Sequence, residues 1–568
     1  MSYKNFSVSI FFNAHDLEVL NRDNLFEESY EFFSKHIDID KVYLETYRGS
    51  TYLSKEDMLA CKNFFNQKGI KVSGAITTTQ KCDIIWDFRS FCYSDPQQRK
   101  QLCDIVAYTA GIFDEIILDD FYFTNCKCDL CIKTKGSSSW SDFRTAQMAE
   151  VSGEIMSTAK QINPAVNMII KYPNWYDHHQ FTGYTPGDQV NIFDSFYTGT
   201  ETRDSQHTQQ VLQRYLGYFI MRYFESINPG KNLGGWFDTF DCSLNAYVEQ
   251  LNMTVFAKAR EITLFCAGLL ATDYRICVPV AGHVFNELDR FVGELGEPVG
   301  IPCYKPFKSG GEDFLHGYLG MLGLPLQPTP VYPSDSKLLL LTESAKKDSS
   351  IISKIKSSLA AGNQVIITSG LLRALNGQLS DIAEIYCTDR RALIRAYAAT
   401  METCSFKDYY YSDREIIIPD IDFKTNDTWQ RAVGIDNFNN HPVLLENKYS
   451  NGRLYVLTIP DNQGDIYSYP PGVLNVIRET ASKELPLHIE APSKVGLFLY
   501  DNNTFIIESF RETNTEVTIV VHKENALLRQ ISTNRHKLGA KAEKIPGKGV
   551  TYFKVFLRPG TYKILAID

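Results

Sequence analysis

A chain of 568 residues is too long for one hydrophobic core and is expected to form about two to four domains. It is 44% hydrophobic and 22% charged, as globular proteins are, and its net charge of −9 argues against nucleic acid or an anionic membrane as the main partner. The sequence contains no run of roughly 18 apolar residues, so it predicts no membrane-spanning segment. The 13 scattered cysteines and the lack of signal-peptide features at the N-terminus predict a cytoplasmic protein.

The first part of the chain alternates strand and helix patterns. Helical patterns such as Glu56–Gln67, Gln97–Ala110 and Asp142–Ile162 lie between apolar segments typical of buried strands. Eight such units predict a (β/α)₈ TIM barrel over residues 1–315. The predicted strands are Phe6–Phe12, Lys41–Thr46, Lys71–Thr77, Glu115–Asp119, Asn167–Lys171, Val190–Asp194, Gly234–Asp238 and Glu261–Cys266.

Two further domains follow a proline-rich segment, LGLPLQPTPVYP. The strand Lys337–Thr342, the helix Ser349–Ala361 and the strand Gln364–Thr368 form a βαβ unit, which predicts a Rossmann-like α/β domain over residues 316–475. This domain lacks G-x-G-x-x-G, so dinucleotide binding has no support. Short alternating strands separated by turn signals then predict a small antiparallel β-sandwich over residues 476–568.

Polar residues gather where the predicted barrel strands end. In a parallel barrel these ends share one rim, where the catalytic residues of TIM-barrel enzymes lie. We therefore predict an enzyme site at this rim, in which Trp175 and Trp236 stack on the substrate while Glu45 and Lys171 bind it. The polar residues at or near strand ends are Asn13, Glu45, Asp119, Asp120, Lys171, Asp194 and Asp238.

Three cysteines follow the fourth predicted strand with the spacing C-x-C-x₂-C, at Cys126, Cys128 and Cys131. In a chain without secretory features, thiols this close together suggest a metal site before they suggest disulfide bonds.

The order of a barrel, an amidotransferase-like α/β domain and a small β-domain resembles the family 42 glycoside hydrolases, the bacterial β-galactosidases. In that family the fourth strand ends in Asn-Glu and an aromatic residue, where this chain has Asp119-Asp120-Phe121. The family's C-x-C-x₂-C motif follows, and its fourth cysteine lies in a segment similar to Ser90–Pro96 (SFCYSDP) of this chain.

The resemblance implies a glycoside hydrolase that cleaves an oligosaccharide or small glycoside with two carboxyl groups, one protonated and one ionised. It makes Asp120 the general acid/base, and Asp119 replaces an asparagine that contacts the sugar. The family nucleophile ends the seventh strand, so Asp238 is the first candidate for that role and Asp241 the second.

The resemblance also implies a structural zinc site with four cysteine ligands and no organic cofactor. It makes Cys92 the fourth ligand beside Cys126, Cys128 and Cys131, with Cys82 as the second candidate. A homotrimer, or another homo-oligomer, that packs through the α/β domain is likewise implied.

Other interpretations stay open at this point. Aspartate is one methylene shorter than glutamate, so the sequence does not set the carboxyl separation that decides between retention and inversion. In an α-galactosidase-like pattern, Asp119 or Asp120 would attack and Asp194 would protonate. Loss of both family glutamates favours a non-catalytic carbohydrate-binding protein on a degenerate barrel, whereas three retained rim aspartates favour an enzyme. Chemistry on a non-sugar substrate is a third possibility.

Overall fold

The computed structural model describes residues 2–23, 25–80, 89–204, 210, 212–400, 408–437, 439–531, 543–547 and 549–568. The chain divides into two compact units, Met1–Gly293 and Glu294–Asp568. Across the residues that are described, none of the helices combines the length and the apolar character that a bilayer crossing requires.

The first unit is a closed barrel of eight parallel strands, which confirms the predicted fold class. The first strand pairs with the second and with the eighth, and this closes the sheet. A two-residue strand, Thr51–Tyr52, runs antiparallel to the second barrel strand. The barrel strands are β1 Ser7–Phe12, β2 Lys41–Arg48, β3 Lys71–Thr77, β4 Glu115–Leu118, β5 Asn167–Tyr172, β6 Ser195–Gly199, β7 Asn232–Asp238 and β8 Glu261–Phe265.

Helices cover the outside of the barrel, and several begin at side chains suited to that position. Ser54, Ser139 and Ser243 each accept a hydrogen bond from a backbone N–H of the first turn, which satisfies a donor that the helix itself leaves unpaired. The helices of this unit are Ala14–Arg22, Phe26–Ser34, Lys55–Gln67, Pro96–Ala110, Asp129–Lys135, Trp140–Ile162, His179–Thr182, Pro186–Ile192, Leu216–Ile227, Leu244–Phe256, Ala267–Ala271 and Cys277–Leu288.

The interior of the barrel is packed rather than hollow. A layer of fully buried side chains that includes Phe11, Tyr43 and Trp236 fills its centre. At the amino ends of the strands, Lys41 pairs with Glu115 and Glu261 at 2.7 and 2.6 Å. The apolar layer separates this ion-pair cluster from the rim at the carboxyl ends.

The predicted sixth strand was wrong in position. The segment Pro186–Ile192 is a helix that begins at a proline, a residue favoured at the first helical position, and β6 starts only at Ser195. Asp194 therefore precedes β6 and lies at the amino ends of the strands, where it pairs with Lys160 at 2.9 Å. The other seven barrel strands lie within about two residues of their predicted bounds.

The second unit begins with a nine-stranded mixed sheet. Five strands run parallel, and an antiparallel extension of four strands adds to one edge. In spatial order the strands are Leu326–Thr329, Ile301–Tyr304, Leu338–Leu341, Gln364–Thr368, Gly452–Leu457, Asn439–Tyr449, Thr428–Asp436, Ile385–Ala399 and Asp408–Phe423. Its helices are Leu315–Gly320, Ile351–Ala360, Ser369–Ala374 and Pro471–Ala481.

The end of the chain forms two packed antiparallel sheets, as predicted. Alternate side chains of both sheets, among them Leu497, Phe505, Ile519 and Val555, share one core. One sheet has the order Pro298–Val299, Val495–Tyr500, Thr504–Ser509, Tyr562–Ile567 and Leu528–Gln530, and the other Leu487–Glu490, Thr515–Val521, Val550–Leu557 and Glu543–Gly547.

Candidate active site

Lys171 lies at the centre of a group of acidic side chains at the carboxyl ends of the barrel strands. Its side chain is 3% exposed, and its ammonium lies 4.2 Å from the centre of the Trp236 ring. Nζ lies 2.8 Å from Asp120 Oδ2, 3.3 Å from Glu201 Oε1 and 3.7 Å from Asp119 Oδ1. One buried cation thus contacts carboxyl groups from the ends of β4 and β6.

Asp119 and Asp120 both reach Lys171 because β4 ends at Leu118, one residue earlier than predicted. Asp119 is held on both oxygens. Its Oδ2 accepts from Arg48 Nη2 at 2.9 Å and from Thr77 Oγ1 at 3.0 Å, and its Oδ1 accepts from the backbone N–H of Asp120 at 2.8 Å. Lys171 is the only ion-pair partner of Asp120 among the described residues.

Glu45 supports this arrangement from the end of β2. Its side chain is fully buried, and it accepts hydrogen bonds from Arg48, from Thr77 and from the backbone N–H of Ala14. Arg48 therefore bridges Glu45 and Asp119. The predicted role of Glu45 in binding substrate stays a prediction, and its contacts are those of a residue that positions Arg48.

Asp238, at the end of β7, is bound by Arg203 through both oxygens. Arg203 Nε lies 3.2 Å from Oδ1 and Nη2 lies 2.8 Å from Oδ2, and Oδ1 also accepts from the backbone N–H of Phe240. Arg203 has a φ of +54° and its backbone N–H donates to Gln250. Asp241, the second candidate for the nucleophile, is exposed.

Glu201 belongs to the cluster, and the sequence analysis missed it. With β6 placed at Val190–Asp194, the first acid after that strand could not be recognised. With β6 at Ser195–Gly199, Glu201 follows the strand end by two residues, as Asp120 does at β4. The hydroxyl- and glycine-rich sequence Thr198–Thr200 was the available signal for a strand end.

The buried charges shift the pKa values of the acids in opposite directions. Burial raises the pKa of Asp120 to about 8, against the opposing effect of Lys171 and with further increases from Asp119 and Glu201. Burial also raises the pKa of Glu201. Burial acts on Asp119 in the same sense, but Lys171 and Arg48 outweigh it and the pKa of that carboxyl falls. The pKa of Asp120 therefore lies above that of its neighbour Asp119.

The two predicted aromatic contacts occupy different environments. Trp236 is 2% exposed and stacks on Phe265 and against Phe11, so it forms the floor beneath Lys171. Trp175 is partly exposed, and its buried Nε1 donor has no hydrogen-bond partner among the described residues.

The four predicted metal ligands lie close together. The Sγ atoms of Cys92, Cys126, Cys128 and Cys131 all lie within 4.8 Å of one another, and none of these thiols forms a disulfide bond. Cys92 Sγ lies 3.5 Å from Cys131 Sγ and 3.6 Å from Cys128 Sγ. This cluster could hold a metal ion. Cys82, the alternative fourth ligand, lies outside the described residues.

Three family models match consecutive parts of the chain. Residues 1–278 match the family model described as the catalytic domain of a probable glycosyl hydrolase. Residues 296–462 match the second domain of uncharacterized protein SSO3021, and residues 486–567 match the C-terminal domain of a probable glycosyl hydrolase. SSO3021 itself, from Saccharolobus solfataricus, is 25% identical over 522 residues, which is 84% of this chain and 86% of its own length.

Glycosidases are among the solved structures with the same fold. An α-L-fucosidase from Paenibacillus thiaminolyticus superposes with a TM-score of 0.66 at 13% identity, over 100% of both chains. The β-galactosidase Gan42B of G. stearothermophilus, of family 42, superposes with a TM-score of 0.65 at 11% identity, over 100% of this chain and 99% of its own. Through its catalytic and C-terminal domains the chain is a glycoside hydrolase, related in fold to the family 42 β-galactosidases.

Proposed function

We propose that the protein hydrolyses the glycosidic bond of an oligosaccharide or small glycoside with two carboxyl groups, and that Asp120 is the general acid/base. The observation that carries the proposal is the contact of Lys171 with Asp120 and Glu201 at the carboxyl rim. Two carboxyl groups of different protonation state on either side of a sugar are what glycoside hydrolysis requires.

The spacing of these groups supports retention of configuration. Lys171 Nζ lies 2.8 Å from Asp120 Oδ2 and 3.3 Å from Glu201 Oε1. The two oxygens are therefore separated by no more than the sum of these distances, roughly 6 Å. This upper limit lies below the ~6.5–9.5 Å of inverting enzymes and includes the ~5 Å of retaining ones.

A panel of aryl glycosides of both anomeric configurations tests the function. We expect hydrolysis of at least one glycoside, with a first-formed product, observed by proton NMR, that keeps the anomeric configuration of the substrate. Binding of sugars without turnover of any glycoside would instead indicate the carbohydrate-binding protein considered from the sequence.

The pH dependence of hydrolysis follows from the protonation of Asp120. Because its pKa is raised to about 8, the carboxyl keeps its proton below that pH and loses it above. A general acid must be protonated to assist the leaving group, so kcat/KM for a glycoside with a poor leaving group is expected to fall as the pH rises through about 8. A decline that begins near pH 5 would contradict this assignment.

We further propose that the four-cysteine cluster binds structural zinc. Four thiolates at ~2.3 Å from a tetrahedral ion lie ~3.8 Å apart, close to the 3.5 and 3.6 Å found for two of the pairs. A site closed by four ligands leaves no position for a catalytic water. Zinc would join the segment containing Cys92 to the loop that follows β4 and carries Asp120.

Metal analysis of protein purified without chelator tests this site. We expect about one zinc ion per chain in the wild type and far less in Cys131→Ser, because three ligands no longer close the tetrahedron. Cys103→Ser, which removes a thiol outside the cluster, is the matched control and should keep its zinc. A wild type with no bound metal would overturn the proposal.

A further inference from the structure

Glu201 is held in place by contacts on both its backbone and its side chain. The side-chain amide of Asn174 donates to its backbone oxygen. Its carboxylate lies directly over Gly199, where an added Cβ would come within 2.7 Å of Oε2 and 3.1 Å of Oε1. A side chain at position 199 would occupy the space that the Glu201 carboxylate fills. The glycine at the end of β6 therefore makes room for that carboxylate.

The two oxygens of Glu201 differ in their surroundings. Oε1 faces the ammonium of Lys171 at 3.3 Å, whereas Oε2 is buried and has no hydrogen-bond partner among the described residues. An unpaired buried carboxylate oxygen costs free energy, so its presence calls for a reason. Contact between Oε2 and a substrate atom in the complex would explain why this oxygen is unpaired here.

Within the described part of the chain, the other two candidate nucleophiles, Asp119 and Asp238, have no comparable oxygen. Both oxygens of Asp238 contact Arg203, and both oxygens of Asp119 accept hydrogen bonds. Attack by either carboxylate would require these contacts to weaken. Glu201 can turn Oε2 toward a substrate without loss of a hydrogen bond among the described residues.

We infer that Glu201 is the catalytic nucleophile that faces Asp120. This inference rests on the proposed hydrolase function and replaces Asp238 in the role suggested by the sequence. Oε2 forms a bond to the anomeric carbon while the bond to the leaving oxygen breaks and that oxygen takes the proton of Asp120. Water then gives a proton to Asp120 and attacks the same carbon, which releases the Glu201 carboxylate and consumes one water molecule.

Covalent trapping tests the inference on the wild-type protein. Its result does not depend on whether a substituted protein folds. Trypsin places the candidate nucleophiles on three different peptides. Residues 101–127 contain Asp119 and Asp120, residues 172–203 contain Glu201, and residues 232–258 contain Asp238. A fluorinated analogue of the glycoside that the protein hydrolyses is expected to label peptide 172–203, with fragmentation placing the label on Glu201. A label on either other peptide would overturn the role of Glu201.

Azide rescue gives a second, independent readout. Glu201→Ala is expected to lose roughly 10³-fold in kcat and, with azide, to form a glycosyl azide of configuration opposite to the substrate. Asp238→Ala is the matched control and should form no such azide. Retention of more than a tenth of the wild-type kcat by Glu201→Ala would refute the inference, whereas a wild type inactive on every glycoside would refute the hydrolase function itself.

Discussion

The variant Asp120→Asn is expected to lower kcat by roughly 10²–10⁴-fold on a glycoside with a poor leaving group, because the amide cannot give a proton to the departing oxygen. The substitution keeps the size of the side chain and removes one of the carboxyl groups that compete for Lys171. We therefore expect the protein to stay folded, with circular dichroism spectra and a urea midpoint close to those of the wild type.

The role of Asp120 as an acid is tested most directly by a change of the leaving group. A substrate with a very acidic leaving group needs no proton, so the loss in Asp120→Asn should shrink by more than tenfold when 2,4-dinitrophenol departs instead of an alkyl alcohol. Asp194→Asn is the matched control, because that aspartate pairs with Lys160 at the amino ends of the strands. Near-normal turnover of the alkyl glycoside by Asp120→Asn would remove Asp120 from the mechanism.

Most of the fold was predictable because its hydrophobic pattern is regular. Lys71–Thr77 and Gln364–Thr368 were predicted with the bounds that the structure has. The long strands Ile385–Ala399 and Asp408–Phe423 were not predicted. They form an edge of the sheet and carry many charged residues, so their pattern lacks the apolar run that identifies a buried strand.

The site was less predictable than the fold because one strand boundary decides which acids reach the rim. An error of five residues at β6 placed Asp194 at the carboxyl end and hid Glu201. The pairings of Arg48 with Asp119 and of Arg203 with Asp238 join residues distant in sequence, which periodicity cannot reveal. Cys126, Cys128 and Cys131 were found because their spacing is itself the signal, whereas Cys92 was added by the family resemblance. Homo-oligomer formation and a cytoplasmic location stay predictions.

Lys171→Met is expected to have the largest effect on stability. The ammonium is 3% exposed and lies within 4 Å of three carboxyl groups, and its pKa is raised because these groups outweigh the effect of burial. Removal of one partner from a buried ion cluster leaves charge without compensation, which costs about 3–5 kcal/mol of unfolding free energy. Lys160→Met, which breaks the partly exposed pair with Asp194, should cost less than about 1 kcal/mol.

The pH dependence of this loss identifies its cause. Without the ammonium, burial raises the pKa of Asp120 and Glu201 further above their unfolded values. A carboxyl with a raised folded-state pKa stabilises the fold while it is protonated, and that contribution is lost as the pH rises through the folded-state pKa. Urea unfolding, followed by tryptophan fluorescence, should therefore give a larger deficit for Lys171→Met at pH 9 than at pH 6. A deficit independent of pH would indicate lost packing against Trp236 instead, and Lys171 would then have no electrostatic role in the site.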